Sequence, residues 1–245
     1  MYNLLLAFAA ALLVAVVLTL TPLTVWQALL PALLVWGGGF FLLARRTNKQ
    51  VEALFLKSVK ELESARPELA IATLKSAYVF EKWQFLIRSQ VDAQIGSILF
   101  MQKKFDDAEP YLARAFIRHW VAQGMLACCH FRRHKLDDAR RVLEKAVAAS
   151  PKEPLLWGLY AFLLDKANKK DEALKVLQRG VEATRGNNKV KDNLLHLQNH
   201  RKLDMSVFGD MWFQFHQEAP PAARIREMQA QWSRMQRGSR GAAPA

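Results

Sequence analysis

The sequence predicts an all-α protein in which an N-terminal two-helix transmembrane hairpin is followed by a solenoid of helical hairpins and a C-terminal capping helix. Three observations predict this fold. Residues 1–44 carry no charged side chain and contain two apolar runs. A pattern of an acidic pair, an alanine and a leucine recurs between residues 103 and 181. An amphipathic segment, residues 187–203, then closes the series.

The two apolar runs, residues 3–20 and 25–44, are each long enough to cross a bilayer, because about 20 helical residues span about 30 Å. Residues 21–24 form a short uncharged turn between them. This pattern predicts a hairpin of two spans. The alternative is a cleaved secretory signal followed by one span. The absence of a basic segment before the first run, and of a distinct small-residue cleavage site, favours the hairpin.

Small residues predict how the two spans pack against each other. Ala7, Ala11 and Ala15 recur every four residues in the first run. Residues 37–39 are three glycines at a similar depth in the second run. Because small residues let helices approach closely in lipid, we expect these two faces to meet.

The distribution of charge predicts the orientation of the chain. The whole net charge of +13 lies after residue 44, and basic residues follow the second run directly. Positive flanks stay in the cytoplasm, so both termini are predicted to be cytoplasmic in a multi-pass protein of a bacterial inner membrane. The two cysteines are adjacent, which fits a reducing compartment. The flanking basic residues are Arg45, Arg46, Lys49, Lys57 and Lys60.

The basic composition and the motifs limit the classes of partner. Attraction to anionic lipid headgroups explains the excess of Lys and Arg beside a membrane anchor. Nucleic-acid binding is disfavoured, because the sequence contains no recognisable nucleic-acid module. It also contains no phosphate loop, nucleophile elbow or metal motif, so no catalytic residue and no cofactor is predicted.

The part of the chain after the apolar runs is an internal repeat. Residues 103–116, 134–147 and 168–181 align, each with an acidic pair, an alanine, a leucine four residues later and a small residue three after that. This period is typical of stacked helical hairpins, because one hairpin cannot bury its own apolar face. The anchors are Ala108/Leu112/Ala115, Ala139/Leu143/Ala146 and Ala173/Leu177/Gly180, and a weaker first copy has Ala70/Leu74/Ala77.

These boundaries predict four parts. The transmembrane hairpin occupies residues 1–46, and the solenoid of three clear repeats and one weaker repeat occupies residues 47–203. An aromatic capping or docking segment follows at 204–218, and a basic tail, either flexible or amphipathic, at 219–245. The capping helix at the end of the solenoid presents Val190, Leu194 and Leu197 on one face.

The repeats resemble the tetratricopeptide repeat (TPR) family, whose unit of about 34 residues is a pair of antiparallel helices. The resemblance covers about residues 50–200 and implies a TPR-like solenoid that binds proteins. Two features depart from the family pattern. The first unit lacks the aromatic and small residues of its first helix, and a spacing of 31 residues between Ala108 and Ala139 implies a shortened turn or helix. The last unit matches best, through Trp157, Tyr160, Ala161, Leu164, Ala173 and Leu177, and Pro151 fits the terminating position of the unit before it.

The acidic pairs could be read as catalytic acids and bases. They recur in the same phase of every repeat, which is typical of a helix start and not of an active site. Carboxylates at a helix N-terminus accept hydrogen bonds from free N–H groups and lie at the positive end of the helix dipole. The chain is therefore predicted not to be an enzyme. The pairs are Asp106 and Asp107, Asp137 and Asp138, and Asp171 and Glu172.

A second candidate for chemistry is the stretch CCHFRRH, residues 128–134. His130 and His134 are four residues apart, with Cys128 nearby. A structural zinc site needs four ligands, and Phe131 stands where a zinc-protease helix would carry glutamate. We therefore predict buried cysteines and surface histidines, with no metal.

The resemblance implies that the first helix of each repeat lines a concave groove. The family's clamp for peptide carboxylates needs Lys and Asn at set groove positions, but Gly124, Cys128, Gly158 and Phe162 stand at two of these positions in successive units. We therefore expect an apolar groove that binds an apolar segment or helix of a partner. The alternative is that these residues are ordinary core. The predicted groove residues are Phe100, Met101, Phe131, Arg132, Leu155, Leu159 and Phe162.

Two segments after the repeats are further candidates for binding. The aromatic cluster would form a large apolar patch if exposed, so packing within the same chain is favoured over docking to a partner. The basic tail suits an anionic membrane surface or a partner groove as an amphipathic helix, or is a flexible soluble tail. The docking residues are Phe208, Met211, Trp212, Phe213 and Phe215, and those of the tail are Arg224, Ile225, Arg226, Met228, Trp232 and Met235.

Together these features predict a membrane-anchored scaffold that recruits a partner protein to the cytoplasmic face of the inner membrane. The alternative is a regulatory or assembly subunit of a membrane or envelope complex that acts through its transmembrane helices. Protein partners and the membrane are the expected contacts in both cases.

Overall fold

The computed structural model describes residues 1–19 and 25–220, together with positions 222 and 226, and in this part of the chain all regular structure is helical. The chain divides into two compact units, residues 1–150 and 151–245. The helices of the first unit are α1 (Tyr2–Thr19), α2 (Val25–Glu63), α3 (Pro67–Ser76), α4 (Ile87–Met101), α5 (Phe105–Leu112), α6 (Trp120–Arg132) and α7 (Leu136–Ala149). Those of the second are α8 (Pro154–Lys166), α9 (Lys170–Ala183), α10 (Asn188–Gln198) and the single turn α11 (Asp210–Phe213).

Helices α1 and α2 pack against each other as an antiparallel pair. The Asn3 side chain donates a hydrogen bond of 2.9 Å to the Thr47 hydroxyl at one end of the pair. Further along, Ala7 lies 3.8 Å from the position that a Cβ on Gly39 would occupy. The residues that make these contacts are small or polar, while most leucines and valines of the apolar runs point away from the pair.

The small-residue interface is narrower than predicted. Ala7 and Ala11 are buried, but a Cβ added to Gly37 or Gly38 would have no atom within 4 Å, so these two glycines face away from α1. Three successive residues on a helix are separated by about 100° each, so only one of the three glycines can face the partner closely. The predicted turn at residues 21–24 lies outside the described residues.

Among the described residues, one helix, Leu29–Glu63, is long and apolar enough to cross a bilayer. The stretch Tyr2–Leu18 is a shorter apolar helix. Signal sequences near an N-terminus have the same length and composition as such a helix. A second span, and with it a multi-pass topology, is therefore part of the proposal made below.

Helix α2 continues without a break for 39 residues, across the predicted boundary at residue 46. Its C-terminal part packs against α3 and buries Val51, Ser58 and Glu61. The end of α2 is therefore the first helix of the first repeat. The first helix of the first unit is thus a continuation of the apolar pair. For this reason it lacks the aromatic and small residues of a TPR first helix.

Four turns of the same geometry connect the helices of four hairpins within residues 25–220. Each contains one residue with a left-handed backbone, at Ala65, Lys103, His134 and Asn168, with φ between 55° and 63°. In each, the next N–H donates to a carbonyl five residues back, as from Lys104 to Leu99 at 2.9 Å, a bond that closes the preceding helix. The pairs are α2–α3, α4–α5, α6–α7 and α8–α9, which confirms the predicted TPR-like hairpins.

The predicted anchor residues form the core of these hairpins. Every anchor from Ala70 to Gly180 is buried. The short spacing between Ala108 and Ala139 has a simple cause, since α5 has 8 residues whereas α7 and α9 each have 14. The prediction of a shortened helix or turn is thus resolved in favour of the helix.

Two glycines show how closely the paired helices approach. A Cβ on Gly96 would lie 2.8 Å from the Leu112 side chain and 3.0 Å from its backbone nitrogen. A Cβ on Gly180 would lie 3.0 Å from Cβ and Cγ of Trp157. These distances are too short for ordinary carbon contacts, so a larger residue at either position would separate the two helices of its hairpin.

A buried carboxylate links the first two repeats. Asp92 on α4 is fully buried and accepts a hydrogen bond of 2.6 Å from the Tyr78 hydroxyl, in the 3-10 turn after α3. Arg114 donates to both oxygens of Asp92, at 3.1 and 3.3 Å. Burial and the neighbouring carboxylate raise the pKa of Tyr78 well above its ordinary value, so this hydroxyl remains a donor.

In the second unit, α10 closes the series by packing against α8 and α9. Val190 and Leu197 are buried and Leu194 is half-buried, as expected for the face of a capping helix. Asn193, on the same helix, is also buried.

Replacing Asp92 by alanine should destabilise the first unit by about 3 kcal/mol, because the Tyr78 hydroxyl and Arg114 would lose a buried charged acceptor. The matched control is Asp106→Ala, since Asp106 is an exposed carboxylate that also pairs with an arginine, and it should cost less than about 1 kcal/mol. Urea unfolding followed by circular dichroism measures both. Equal losses in the two variants would contradict the role given to Asp92.

Candidate protein-interaction site

The predicted groove residues of the first unit are only partly available to a ligand. Phe100 is fully buried, and its ring packs edge-on against Phe105 of α5, with the ring centroids 5.1 Å apart. Met101, the next residue on α4, is 47% exposed. Phe100 is therefore a core residue of its hairpin, whereas Met101 lies on the surface.

Phe131 and Arg132 lie at the end of α6, where Phe131 is half-buried and Arg132 is exposed. The Arg132 guanidinium lies 4.1 Å from the centroid of the Phe105 ring, a cation–π distance. Phe105 thus brings Phe100 and Arg132 together, although it was not among the predicted groove residues. The only signal for Phe105 in the sequence was an aromatic residue directly before an acidic pair.

The predicted groove face of the second unit is covered by the chain itself. Leu155, Leu159 and Phe162 on α8 are all buried. The ring of Phe162 packs edge-on against Trp212, with centroids 4.8 Å apart. Leu159 is fully buried and is a core residue, while Phe162 is the residue that receives the aromatic segment.

Gly158 makes this covering possible. A Cβ at this position would lie 2.9 Å from Cε2 of Phe208 and 3.1 Å from Cε of Met205. Any side chain on Gly158 would therefore displace both residues. From the sequence this glycine was only a missing clamp residue, because its role depends on a contact with a segment about 50 residues further along the chain.

The aromatic segment, residues 204–218, is held at several points. Trp212 and Phe215 are fully buried, and the Trp212 indole N–H donates to a carboxylate oxygen of Glu218 at 2.9 Å. At its start, the Asn193 amide donates to the Asp204 carbonyl at 3.0 Å and accepts from the Asp204 N–H at 2.7 Å. The segment therefore packs in cis on its own repeat, the arrangement that the sequence favoured.

The other predicted docking residues are less buried. Phe208 and Phe213 are half-buried, while Met211 is 39% exposed. Of the predicted tail residues, Arg226 is exposed, and the others lie outside the described residues. The amphipathic helix expected in the tail therefore stays a prediction.

The stretch 128–134 does not form a ligand set. Helix α6 ends at Arg132, and His134 has a left-handed backbone in the following turn, so His130 and His134 do not share one face of a helix. Cys128 and Cys129 are buried, as predicted, and no disulfide joins them. Burial, followed by the nearby Glu109 carboxylate, raises the pKa of Cys129 to about 12. No group of three metal-ligating side chains occurs in the part of the chain that the structure describes.

The acidic pairs lie in the first turns of α5, α7 and α9, as predicted. The N-cap positions of these helices are lysines, whose side chains make no capping hydrogen bond. Asp106 instead pairs with Arg133 at 2.6 Å, and Asp138 pairs with Arg141. Favourable interaction with the helix dipole and with surface arginines accounts for their position.

Comparison with known proteins agrees with this geometry. The family model for the tetratricopeptide repeat matches residues 99–161, from α4 to α8, and residues 130–194, from α6 to α10. Residues 99–194 therefore carry tetratricopeptide repeats. No curated protein matches the chain.

Two solved structures also match. One is MamA, from position 41 to the end, of Desulfovibrio magneticus RS-1, and the other is described as the MamA RS-1 ArsTM double mutant. Each is 18% identical with a TM-score of 0.47 and covers 68% of this chain. The matches cover 93% of the first structure and 92% of the second.

Replacing Trp212 by alanine should release the aromatic segment, because this variant removes a fully buried indole from its contact with Phe162. The expected loss in stability is about 3 to 5 kcal/mol for the packing of the segment. Limited proteolysis followed by mass spectrometry should then show new cleavage within residues 204–218. The neighbouring Met211→Ala change removes an exposed side chain and should leave the cleavage pattern unchanged.

The two cysteines should not react with a disulfide reagent in the folded protein at pH 8. Their burial blocks access, and the raised pKa keeps the Cys129 thiol protonated. The folded state favours this neutral thiol, so its contribution to stability is complete below about pH 9 and is lost as the pH rises towards 12. Colour release from the reagent before and after adding guanidinium measures the effect. Rapid reaction of the folded protein would contradict it.

Proposed function

We propose that the chain is a membrane-anchored scaffold that recruits a partner protein to the cytoplasmic face of the inner membrane through the groove of its TPR repeats. The observation that carries this proposal is the continuity of α2, which belongs to the apolar helix pair at one end and to the first TPR hairpin at the other. No bond is made or broken in this role, so the chain is proposed not to be an enzyme.

The surface of the α1–α2 pair supports the membrane anchor. Large apolar side chains point outward along both helices, including Leu13 at 65% exposed and Leu34 at 76%. Such a surface is unfavourable in water and suits the hydrocarbon core of a bilayer. The inner contact uses the small residues Ala7 and Gly39, a type of packing typical of helices in lipid.

The charges that follow the anchor support the cytoplasmic orientation. Arg45, Arg46 and Lys49 come within one to two turns of the end of the apolar part of α2. Basic residues in this position favour retention on the cytoplasmic side. Their attraction to anionic headgroups would also hold the first repeat close to the bilayer.

The groove itself supports an apolar or aromatic ligand. In the second unit it accepts Met205, Phe208 and Trp212 from the chain's own aromatic segment. The same class of side chain is the best candidate for a partner's contribution to the groove of the first unit, where Met101 and Phe131 are at least partly exposed.

A second function is supported by the same anchor. The exposed apolar faces of α1 and α2 could contact the spans of another membrane protein as well as lipid. The chain would then act as a regulatory or assembly subunit through its transmembrane helices, with the TPR hairpins in a supporting role.

The two functions predict different results for variants of the groove. The double change Met101→Ser and Phe131→Ser should abolish the proximity labelling of partners by the full-length protein in cells, because it removes the apolar groove surface without adding charge. The control is Leu195→Ser, which removes a leucine that is 46% exposed on α10. Circular dichroism checks that all variants are folded.

Partners that persist in the groove variant, but are lost when the α1–α2 pair is exchanged for an unrelated two-span anchor, would overturn the groove proposal. That result would favour the subunit that acts through its spans. Partners lost in the groove variant but retained after the exchange would support the scaffold.

A further inference from the structure

The loop between α3 and α4 exposes an unusual number of apolar side chains. We call residues 79–86, with the sequence VFEKWQFL, the interfacial loop. Val79 is 71% exposed, Phe85 49%, Leu86 42% and Trp83 38%. Four large apolar residues exposed within eight positions form a patch that favours contact with another apolar surface.

The interfacial loop is tied to the first residues of α1. The Tyr2 N–H donates to the Lys82 carbonyl at 2.8 Å, and the Asn3 N–H donates to the Trp83 carbonyl at 3.4 Å. The Met1 ammonium donates to the same Lys82 carbonyl. The rings of Tyr2 and Trp83 pack edge-on, with centroids 5.5 Å apart. These bonds satisfy N–H groups at the start of α1 that have no partner within the helix.

This contact fixes the position of the loop along the axis of the apolar pair. Asn3 also bonds to Thr47, which directly follows Arg45 and Arg46 in the chain. The loop therefore lies beside the end of the pair that carries its basic flank. In membrane proteins this level is where Trp and Tyr concentrate and where Lys and Arg meet lipid phosphates.

The length of the loop is not needed to form the hairpins. The left-handed residues of successive turns are 31 residues apart from Lys103 to His134 and 34 from His134 to Asn168, but 38 from Ala65 to Lys103. The larger spacing accommodates residues 77–86 between α3 and α4, in which the 3-10 turn Ala77–Phe80 overlaps the start of the interfacial loop. Exposed apolar residues in this insertion are unfavourable in water, and contact with lipid beside the anchor would remove them from water.

We propose that the interfacial loop inserts into the boundary between headgroups and acyl chains of the cytoplasmic leaflet, next to the start of α1. Val79, Phe85 and Leu86 enter the apolar side of this boundary, and Trp83 lies at its polar edge. The first repeat is then held against the bilayer at two places, by α2 and by the loop. This inference rests on the membrane anchor proposed above, and lipid is the chosen occupant because the patch continues the exposed apolar surface of the α1–α2 pair.

An environment-sensitive fluorophore attached to Phe85→Cys in the full-length protein tests the proposal. Cys128 and Cys129 are buried and should not take up the label. The protein is reconstituted into vesicles of phosphatidylethanolamine and phosphatidylglycerol, with nitroxide quenchers placed at the headgroup, high on the acyl chain or near its end. Leu195→Cys, a similarly exposed site on α10, is the control for lipid contact, and Leu34→Cys reports insertion of α2.

The expected result is a blue shift of the label at position 85 and loss of its fluorescence with the shallow quenchers, but not with the deepest one. The label at position 195 should keep the spectrum of a water-exposed probe, and the label at position 34 should be quenched most by the deepest nitroxide.

Two results would overturn the inference while leaving the anchor intact. In both, the label at position 34 is quenched by lipid. In the first, the label at position 85 remains in water. In the second, it shifts to the blue without quenching by any lipid, which would assign the loop to a protein contact, such as a second copy of the chain. If the label at position 34 is itself not quenched, the proposed membrane anchor fails, and the inference fails with it.

Discussion

The continuity of α2 is the constraint on which the first unit depends. This helix packs against α1 through small and polar residues in its first part and against α3 in its last part, with no linker between them. Because α2 is a single helix of 39 residues, the orientation of its first part determines that of its last part. The first TPR hairpin therefore takes a defined orientation relative to the apolar pair. The bond between Asn3 and Thr47, and the contact of Tyr2 with Trp83, strengthen this connection from the side of α1.

Two kinds of interaction act within the hairpins, namely apolar burial and hydrogen bonds to a buried carboxylate. Apolar burial at the alanine and leucine anchors provides most of the stabilisation, and close approach at Gly96 and Gly180 permits it. The buried Asp92 contributes specificity, because it accepts hydrogen bonds from Tyr78 and Arg114 and so links elements of neighbouring repeats. In the second unit the aromatic segment packs on α8, so the predicted groove face of this unit is covered by its own chain.

Much of the fold could be predicted from the sequence, because the residues that pack in a helical repeat are small or apolar and recur at a fixed spacing. The anchors, the first-turn acidic pairs and the shortening near Ala108 all follow from that spacing. The candidate site was less accessible to prediction. Phe100 and Leu159 were predicted to line a groove but are core residues, since the family phase places a residue on a face and does not say what covers it. The roles of Phe105, Gly158 and Asp92 depend on contacts between segments distant in sequence.

The sequence by itself determined the helical class, the TPR repeats and the sharp division between an uncharged first part and a basic remainder. Each of these features follows from local periodicity or composition. The tertiary structure decided three other matters. It showed that α2 joins the apolar pair to the first repeat as one helix, that the aromatic segment packs on α8, and that the start of α1 binds the interfacial loop. Each of these depends on which surfaces meet in space, and the free energy of such contacts comes from shape and burial that no single stretch of sequence contains.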